Sequence, residues 1–246
     1  MKEKIYTIPL TEAYEEAGEC PFCKIEQRLE AEAVEYALGA SMMEPDSRMV
    51  SNEKGFCRRH FAQMMGRQGN ALSLALVLDT HFHYFINKME EIKGKKRQGG
   101  LFKKETTKRE ELSAFLDATE KSCVICEKLE NTLEKFACTF WELYQKEKDF
   151  HQKVIESKGF CLPHFSLLMK AADRELHGRA LEDLTEELME VEIANLKRVN
   201  EDVHWFTKKF DYRYQDAPWK DAKDAPPRAI AKIAKFVSES ETEKEK

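Results

Sequence analysis

Eight residues that could ligate a metal ion occur as one pattern written twice. Each copy has a C-x-x-C pair followed by a G-F-C-x-x-H phrase. The two motifs are separated almost equally, since Cys23 and Cys57 lie 34 positions apart and Cys126 and Cys161 lie 35 apart. Thiolate and imidazole are ligands that zinc prefers, and four of them complete its tetrahedron. The predicted ligands are Cys20, Cys23, Cys57 and His60 in the first copy, and Cys123, Cys126, Cys161 and His164 in the second.

The pattern predicts two zinc ions per chain, each held by three cysteines and one histidine of the same copy. In G-F-C-x-x-H the cysteine and histidine are three positions apart, so both project from one face at the start of a helix. Gly55 and Gly159 permit a tight entry into that helix. Four protein ligands leave no open position, which is typical of a structural site. An iron–sulfur cluster is the less usual alternative, because four cysteines mostly hold such clusters.

The duplicated motifs resemble an uncharacterised bacterial family whose members carry C-x-x-C and G-F-C-x-x-H twice in a largely helical chain. The resemblance covers roughly residues 15–210. It implies a helical fold and a metal site but no reaction, and we predict no catalytic residue and no organic cofactor site. The matching residues are Cys20, Cys23, Gly55, Cys57, His60, Cys123, Cys126, Gly159, Cys161, Pro163 and His164.

The elements that must position these ligands are predicted to be helices only. Glycine and proline are scarce, at 10 and 7 residues, and no long stretch alternates apolar with polar residues. We expect an all-α fold of two tandem repeats, with long helices packing between them. Thr11 is expected to cap a short helix that ends at Gly18, and residues 44–54 are expected to form a polar connection. The main predicted helices cover about 21–38, 71–92, 125–143, 179–210 and 228–237, and shorter helices begin near Phe56 and Cys161.

The predicted domain organisation follows the duplication. Residues 1–92 form the first metal-binding repeat, and residues 110–212 form the second. Residues 93–109 form a basic, glycine-containing linker. Residues 213–246 carry a Pro-rich and aromatic segment, a short basic amphipathic helix and a tail predicted to be disordered.

Composition and the N-terminal sequence favour a cytoplasmic protein. No apolar run approaches the roughly 18 residues that suggest a membrane span, and the N-terminal residues lack the apolar core of a signal peptide. Thiols stay reduced in the cytoplasm, so C-x-x-C pairs there indicate a metal or redox site more than a structural disulfide. The net charge of -5 argues against general nucleic-acid binding.

The leading functional hypothesis is a zinc-binding interaction or regulatory module with an unknown protein partner. One alternative is a thiol-based redox sensor that releases zinc on oxidation, which requires exposed sulfurs. A second is a nucleic-acid-binding protein that uses residues 93–109, which hold eight Lys or Arg and one acidic residue. An enzyme would need a pocket lined by His81, His83 and carboxylates, although both histidines are more typical of packing residues. Cys138 is the one cysteine outside the motifs and is expected to be an inert core residue.

Overall fold

The computed structural model describes residues 4–95 and 107–235, and within them the chain is entirely helical. The all-α prediction is confirmed, since these residues form eleven α-helices, three short 3₁₀ turns and no strand. The α-helices are α1 (Lys4–Ala13), α2 (Pro21–Leu38), α3 (Pro45–Lys54), α4 (Arg58–Gly66), α5 (Ala71–Gly94), α6 (Lys108–Lys121), α7 (Val124–Lys146), α8 (Lys148–Ile155), α9 (Leu162–Glu175), α10 (Arg179–Lys208) and α11 (Ala225–Ala234).

Two predicted local structures are wrong. The segment 44–54, expected to be a polar connection, contains helix α3 instead. The helix begins with Pro45, and Asp46 in its first turn and Lys54 in its last turn suit the helix dipole. No residue of α3 is buried, so the helix has no apolar stripe that a periodicity search would detect. Thr11 lies inside α1 rather than before a helix, and its hydroxyl donates to the Thr7 carbonyl at 2.8 Å.

Helix α6 was not predicted, and it begins within the expected linker. Its start is fixed by a capping box, in which the Thr107 hydroxyl accepts from the Glu110 amide and the Glu110 carboxylate accepts from the Thr107 amide. The remainder of the predicted linker, residues 96–106, lies outside the described residues. The tail at 236–246, which was predicted to be disordered, lies outside them as well.

The chain divides into two compact units. Unit 1 comprises Met1–Arg28 and Thr132–Lys246, and unit 2 comprises Leu29–Asn131. This division cuts across the two sequence copies. Unit 1 combines the first C-x-x-C with the second G-F-C-x-x-H, and unit 2 combines the remaining two motifs. The boundaries fall within α2 and α7, so each of these helices contributes residues to both units.

The core of unit 1 is aromatic. Phe140 on α7 is surrounded by the rings of Phe22, Phe150 and Phe160, at centroid distances of 5.6–6.2 Å, and stacks on Tyr144. All of these side chains are buried. Helix α10 packs against α9 and α11 at the edge of this core.

The core of unit 2 is mainly aliphatic. Helix α5 packs against α3, α4 and α6, and the cluster includes Val34, Leu38, Met64, Ile125 and Leu129. None of the helices in the described part of the chain combines the length and hydrophobicity that a membrane span needs.

Candidate metal centres

The eight predicted ligands form two groups of four, but the predicted grouping is wrong. Site 1 contains Cys20, Cys23, Cys161 and His164, and all of its residues belong to unit 1. Site 2 contains Cys57, His60, Cys123 and Cys126, and all of its residues belong to unit 2. Each site therefore takes C-x-x-C from one sequence copy and G-F-C-x-x-H from the other.

Helix lengths explain why a site does not close within one copy. Helix α2 has 18 residues and, at 1.5 Å per residue, is about 27 Å long. The C-x-x-C pair lies at its start. Helix α3, which leads back toward the next motif, has 10 residues and spans only about 15 Å. His60 accordingly lies beside Glu30 on α2, with its Nε2 3.0 Å from the carboxylate, seven residues beyond Cys23.

The second copy has the same mismatch. Helix α7 has 23 residues, about 35 Å, whereas α8 has 8 residues, about 12 Å. In the second copy Phe160 packs 5.6 Å from Phe140, far along α7 from the C-x-x-C at its start. The C-x-x-C at the start of the opposite helix completes the set of four.

Site 1 is compact and buried. His164 presents Nδ1 to three sulfurs, at 3.5 Å from Cys20, 3.5 Å from Cys23 and 3.1 Å from Cys161. The sulfurs of Cys23 and Cys161 are 3.7 Å apart. All four residues are buried, and the ring of Phe22 packs 5.7 Å from the His164 ring.

The ligand atoms of site 2 are spaced like those of site 1, but two of its cysteines are more exposed to solvent. Nδ1 of His60 lies 3.2 Å from the sulfurs of Cys57 and Cys123 and 3.5 Å from that of Cys126. The sulfurs of Cys57 and Cys126 are 3.8 Å apart. Cys126 is exposed and Cys57 is half-buried, whereas His60 and Cys123 are buried.

These spacings suit one tetrahedral ion in each site. Zinc bonds of about 2.3 Å to sulfur and about 2.0–2.1 Å to nitrogen, at tetrahedral angles, place ligand atoms roughly 3.5–3.8 Å apart. The ligand atoms of each site all lie within 4.8 Å of one another. Both sites could therefore hold a metal ion without rearrangement of the backbone.

A carboxylate that was not predicted from the sequence lies beside the outer ring nitrogen of each site histidine. Nε2 of His60 lies 3.0 Å from Oε1 of Glu30, and Nε2 of His164 lies 3.1 Å from Oε2 of Glu26. Histidines that ligate metals usually donate their other N–H to such a partner, which fixes the ring and makes it a stronger ligand. Both carboxylates lie on α2, four positions apart, and a single sequence offers no periodicity that would mark them.

The surroundings of each site histidine favour its protonated form. Burial acts to lower the pKa of His60, but its hydrogen bonds to Cys123 and Glu30 raise that pKa to about 10. The pKa of His164 is raised to about 11 against the same effect of burial, because of its hydrogen bonds to Cys161, Cys23 and Glu26. Groups that retain a proton so strongly lie in a field that also favours a divalent cation.

The loop that leads into each G-F-C-x-x-H helix is held from outside the motif. Gly159 has a φ of +69°, and a Cβ there would lie 2.6 Å from Oε2 of Glu192. The same carboxylate oxygen accepts from the Phe160 amide at 2.7 Å. Lys232 on α11 is buried and donates to the carbonyls of Lys158 and Phe160, so the C-terminal helix fixes the loop before Cys161.

The corresponding loop of unit 2 is held by different groups. Gly55 has a φ of +62°, and a Cβ there would lie 2.5 Å from the His81 ring. Nδ1 of His81 lies 2.7 Å from the Asn52 carbonyl oxygen, and the Gly55 carbonyl accepts from the Val124 amide at 3.1 Å. His81 is therefore a packing residue beside the motif and belongs to neither group of four ligands.

The other polar residues considered from sequence lie outside both sites. His83 is exposed, with its Nδ1 2.8 Å from the Asp79 carbonyl oxygen. Cys138 is half-buried, and burial, followed by its contact with Glu175, raises the pKa of its thiol to about 11. Neither residue belongs to a group of four ligands.

The basic segment contributes two described lysines to local contacts. Lys95 pairs with Glu111, and the Lys108 ammonium donates to the Lys93 carbonyl. The basic residues of α11 also bind within unit 1, since Arg228 pairs with Asp202 at 2.9 Å. The charges of this predicted basic amphipathic helix thus stabilise the fold.

Comparison with known proteins yields one family match. A profile described as "Family of unknown function (DUF6062)" matches residues 1–240. No curated protein and no solved structure matches the chain. The match covers both groups of ligands and the helices that carry them.

Proposed function

The chain belongs to the DUF6062 family, and we propose that it is a zinc protein in which two structural ions join its two sequence copies. The observation that carries this proposal is the crossed grouping of the ligands. Each site links one C-x-x-C to the G-F-C-x-x-H that lies 138–144 positions away in site 1 or 63–69 positions away in site 2. An ion in such a site ties distant chain segments together, which stabilises long-range structure.

Zinc is the ion that best suits these ligands. Three thiolates and an imidazole in tetrahedral spacing are typical of structural zinc sites. An iron–sulfur cluster distributes its ligands over several iron atoms, which requires wider spacing than the 3.1–3.8 Å contacts found here. Structural zinc contributes on the order of 10 kcal/mol or more to folding, so each unit should depend on its ion.

Metal analysis tests this proposal. Protein purified without added metal should contain two equivalents of zinc, and Cys57→Ser should retain one. The loss should lower the melting temperature of unit 2 and give a two-step melt, because site 1 remains intact. Cys138→Ser is the matched control and should keep both ions. Fully folded wild-type protein without zinc, or Cys57→Ser that keeps two ions, would contradict the proposal.

A redox role for site 2 is the second candidate, and the exposure of Cys126 favours it. A peroxide could reach this thiolate and oxidise it to a sulfenic acid, while the peroxide is reduced to water. The Cys57 thiolate, whose sulfur is 3.8 Å away, would then displace hydroxide from the sulfenic acid and form a disulfide. Two ligands would be lost from the site, and zinc would leave.

Titration with peroxide tests whether site 2 is oxidised before site 1. Hydrogen peroxide should release one zinc per chain well before the second, because the sulfurs of site 1 are buried. Cys161→Ser, which lacks the buried site, should still show the early release. Simultaneous release of both ions, or earlier release from site 1, would refute a sensor role for site 2.

An interaction role is supported by one face of α5. Phe82, Ile86 and Met89 lie at successive turns and are 61, 52 and 44% exposed. An exposed apolar row of this kind is typical of protein contacts. Phe82→Glu should reduce capture of the partner protein without changing the zinc content.

A cytoplasmic location completes the proposal, because reduced thiols are needed for zinc ligation.

A further inference from the structure

Unit 2 contains a cavity that neither metal site uses. Its volume is about 270 Å³, and it lies between the second half of α2, α3 and the start of α7. The lining is mainly apolar and includes Ala33, Ala37, Val50, Phe56 and Ile125. The metal ligands of site 2 are not among the lining residues.

The internal duplication shows why the cavity exists. The C-x-x-C pairs at the starts of α2 and α7 are 103 positions apart, so Ala37 corresponds to Phe140 and Ala33 to Phe136. By the same offset Ser47 on α3 corresponds to Phe150 on α8. Small residues thus stand in unit 2 at the positions where unit 1 has large aromatic ones.

Two other residues of the cavity wall, Phe56 and Ile125, have large apolar counterparts in unit 1. Phe56 corresponds to Phe160, because the G-F-C motifs are 104 positions apart, and Ile125 corresponds to Phe22. In unit 1 the Phe140 ring fills the space between these walls, 5.6 Å from the Phe160 ring and 6.2 Å from the Phe22 ring. The equivalent space in unit 2 therefore has the dimensions of aromatic side chains.

The mouth of the cavity offers hydrogen-bond acceptors and one ammonium group. The Tyr36 hydroxyl donates to the Glu44 carboxylate and lies 3.0 Å from the Ser47 hydroxyl. Asp46 and Lys128 also line the cavity, and the Lys128 ammonium lies 4.8 Å from the centroid of the Tyr36 ring. A hydroxyl on the ligand could donate to the Asp46 carboxylate and accept from the Lys128 ammonium.

We propose that this cavity binds a small aromatic molecule with one ring and a hydrogen-bond donor, such as a phenol. An apolar engineered cavity of about 150 Å³ accepts benzene, so 270 Å³ accommodates one substituted ring. The ring replaces the missing Phe140 equivalent against Phe56 and Ile125, and the donor faces the acceptors at the mouth. This site goes beyond the proposed zinc function and does not depend on it.

Titration of the zinc-loaded full-length chain with p-cresol tests the proposal, with amide chemical shifts and calorimetry as readouts. Wild type should bind saturably, and the shifted amides should include those of Ala33 and Val124. Ala37→Phe should weaken binding at least tenfold and keep or raise the melting temperature, because the new ring fills the space. Ala31→Phe, at an exposed position of the same helix, is the matched control and should bind within twofold of wild type.

A second variant keeps the result clear if Ala37→Phe does not fold. Ser47→Phe fills the cavity from α3, as Phe150 does from α8, and should also weaken binding at least tenfold. Binding that survives both substitutions, or shifts confined to residues away from the cavity, would overturn the proposal. If p-cresol does not bind saturably to the wild type and Ala37→Phe is more stable, the cavity is only an underfilled core. That result would also overturn the proposal.

Discussion

Replacing Glu30 by glutamine should weaken zinc binding at site 2 while preserving the shape of the side chain. Glu30 is 8% exposed and lies 3.0 Å from Nε2 of His60, which is 1% exposed. A buried hydrogen bond to a charged group contributes about 1.5–3 kcal/mol. At 1.4 kcal/mol per factor of ten, zinc affinity should fall roughly ten- to hundredfold. The contact with Arg59 adds little, because that guanidinium is 45% exposed.

Competition with a chromophoric chelator measures this loss at each site separately. Glu30→Gln should shift one of the two zinc transitions and leave the other unchanged. Glu26→Gln should shift the transition of site 1 instead, because Glu26 contacts His164 at 3.1 Å. Glu35→Gln, on an exposed position of the same helix, is the neutral control. An unchanged affinity in Glu30→Gln, or equal weakening at both sites, would refute the assigned role of this carboxylate.

Three further predictions concern unit 1. Gly159→Ala should destabilise it by about 1–3 kcal/mol in thermal unfolding, since φ is +69° and the added Cβ would lie 2.6 Å from Glu192. Gly69→Ala in unit 2 is the control and should cost less, because φ there is +83° but the space around the added Cβ is open. Phe140→Ala should lower stability by about 3–5 kcal/mol, because aromatic rings surround this side chain; an unchanged melting temperature would contradict the packing. Lys232→Met should remove two hydrogen bonds to loop carbonyls and speed hydrogen exchange at the amides of 159 and 160. Unchanged exchange would show that Lys232 does not hold this loop.

The long helices of the fold could be predicted from the sequence. The apolar stripes and motif positions predicted α2, α5, α7 and α10 with bounds close to those observed. The duplicated motifs also marked eight residues that the structure brings into two groups. These features depend on local spacing, which a single sequence records.

The sequence did not reveal which C-x-x-C pairs with which G-F-C-x-x-H phrase. Spacing along the chain favoured Cys23 with Cys57, but the structure pairs Cys23 with Cys161. The error followed from reading α3 as an irregular connection, because a flexible segment could have returned to the start of α2. A helix of 10 residues is much shorter than the 18 residues of α2, so recognition of α3 would have argued against closure within one copy. Polar helices without a buried stripe give little signal for such recognition.

The roles of Glu30, Glu192 and Lys232 depend on contacts between distant segments. Each lies on a helix that the sequence predicted at least in part, but nothing local distinguishes these charges from the many on solvated faces. Their partners are a histidine 30 positions away, an amide 32 positions away and carbonyls 72 and 74 positions away. Such contacts require the tertiary structure.

Zinc counting on paired cysteine variants, by native mass spectrometry, tests the crossed sites most directly. The double variant Cys23→Ala/Cys161→Ala removes two ligands of site 1 and should retain one zinc. The double variant Cys23→Ala/Cys57→Ala damages both sites and should retain none. If each sequence copy instead closed its own site, the first variant would lose both ions and the second would keep one, and this opposite pattern would contradict the account.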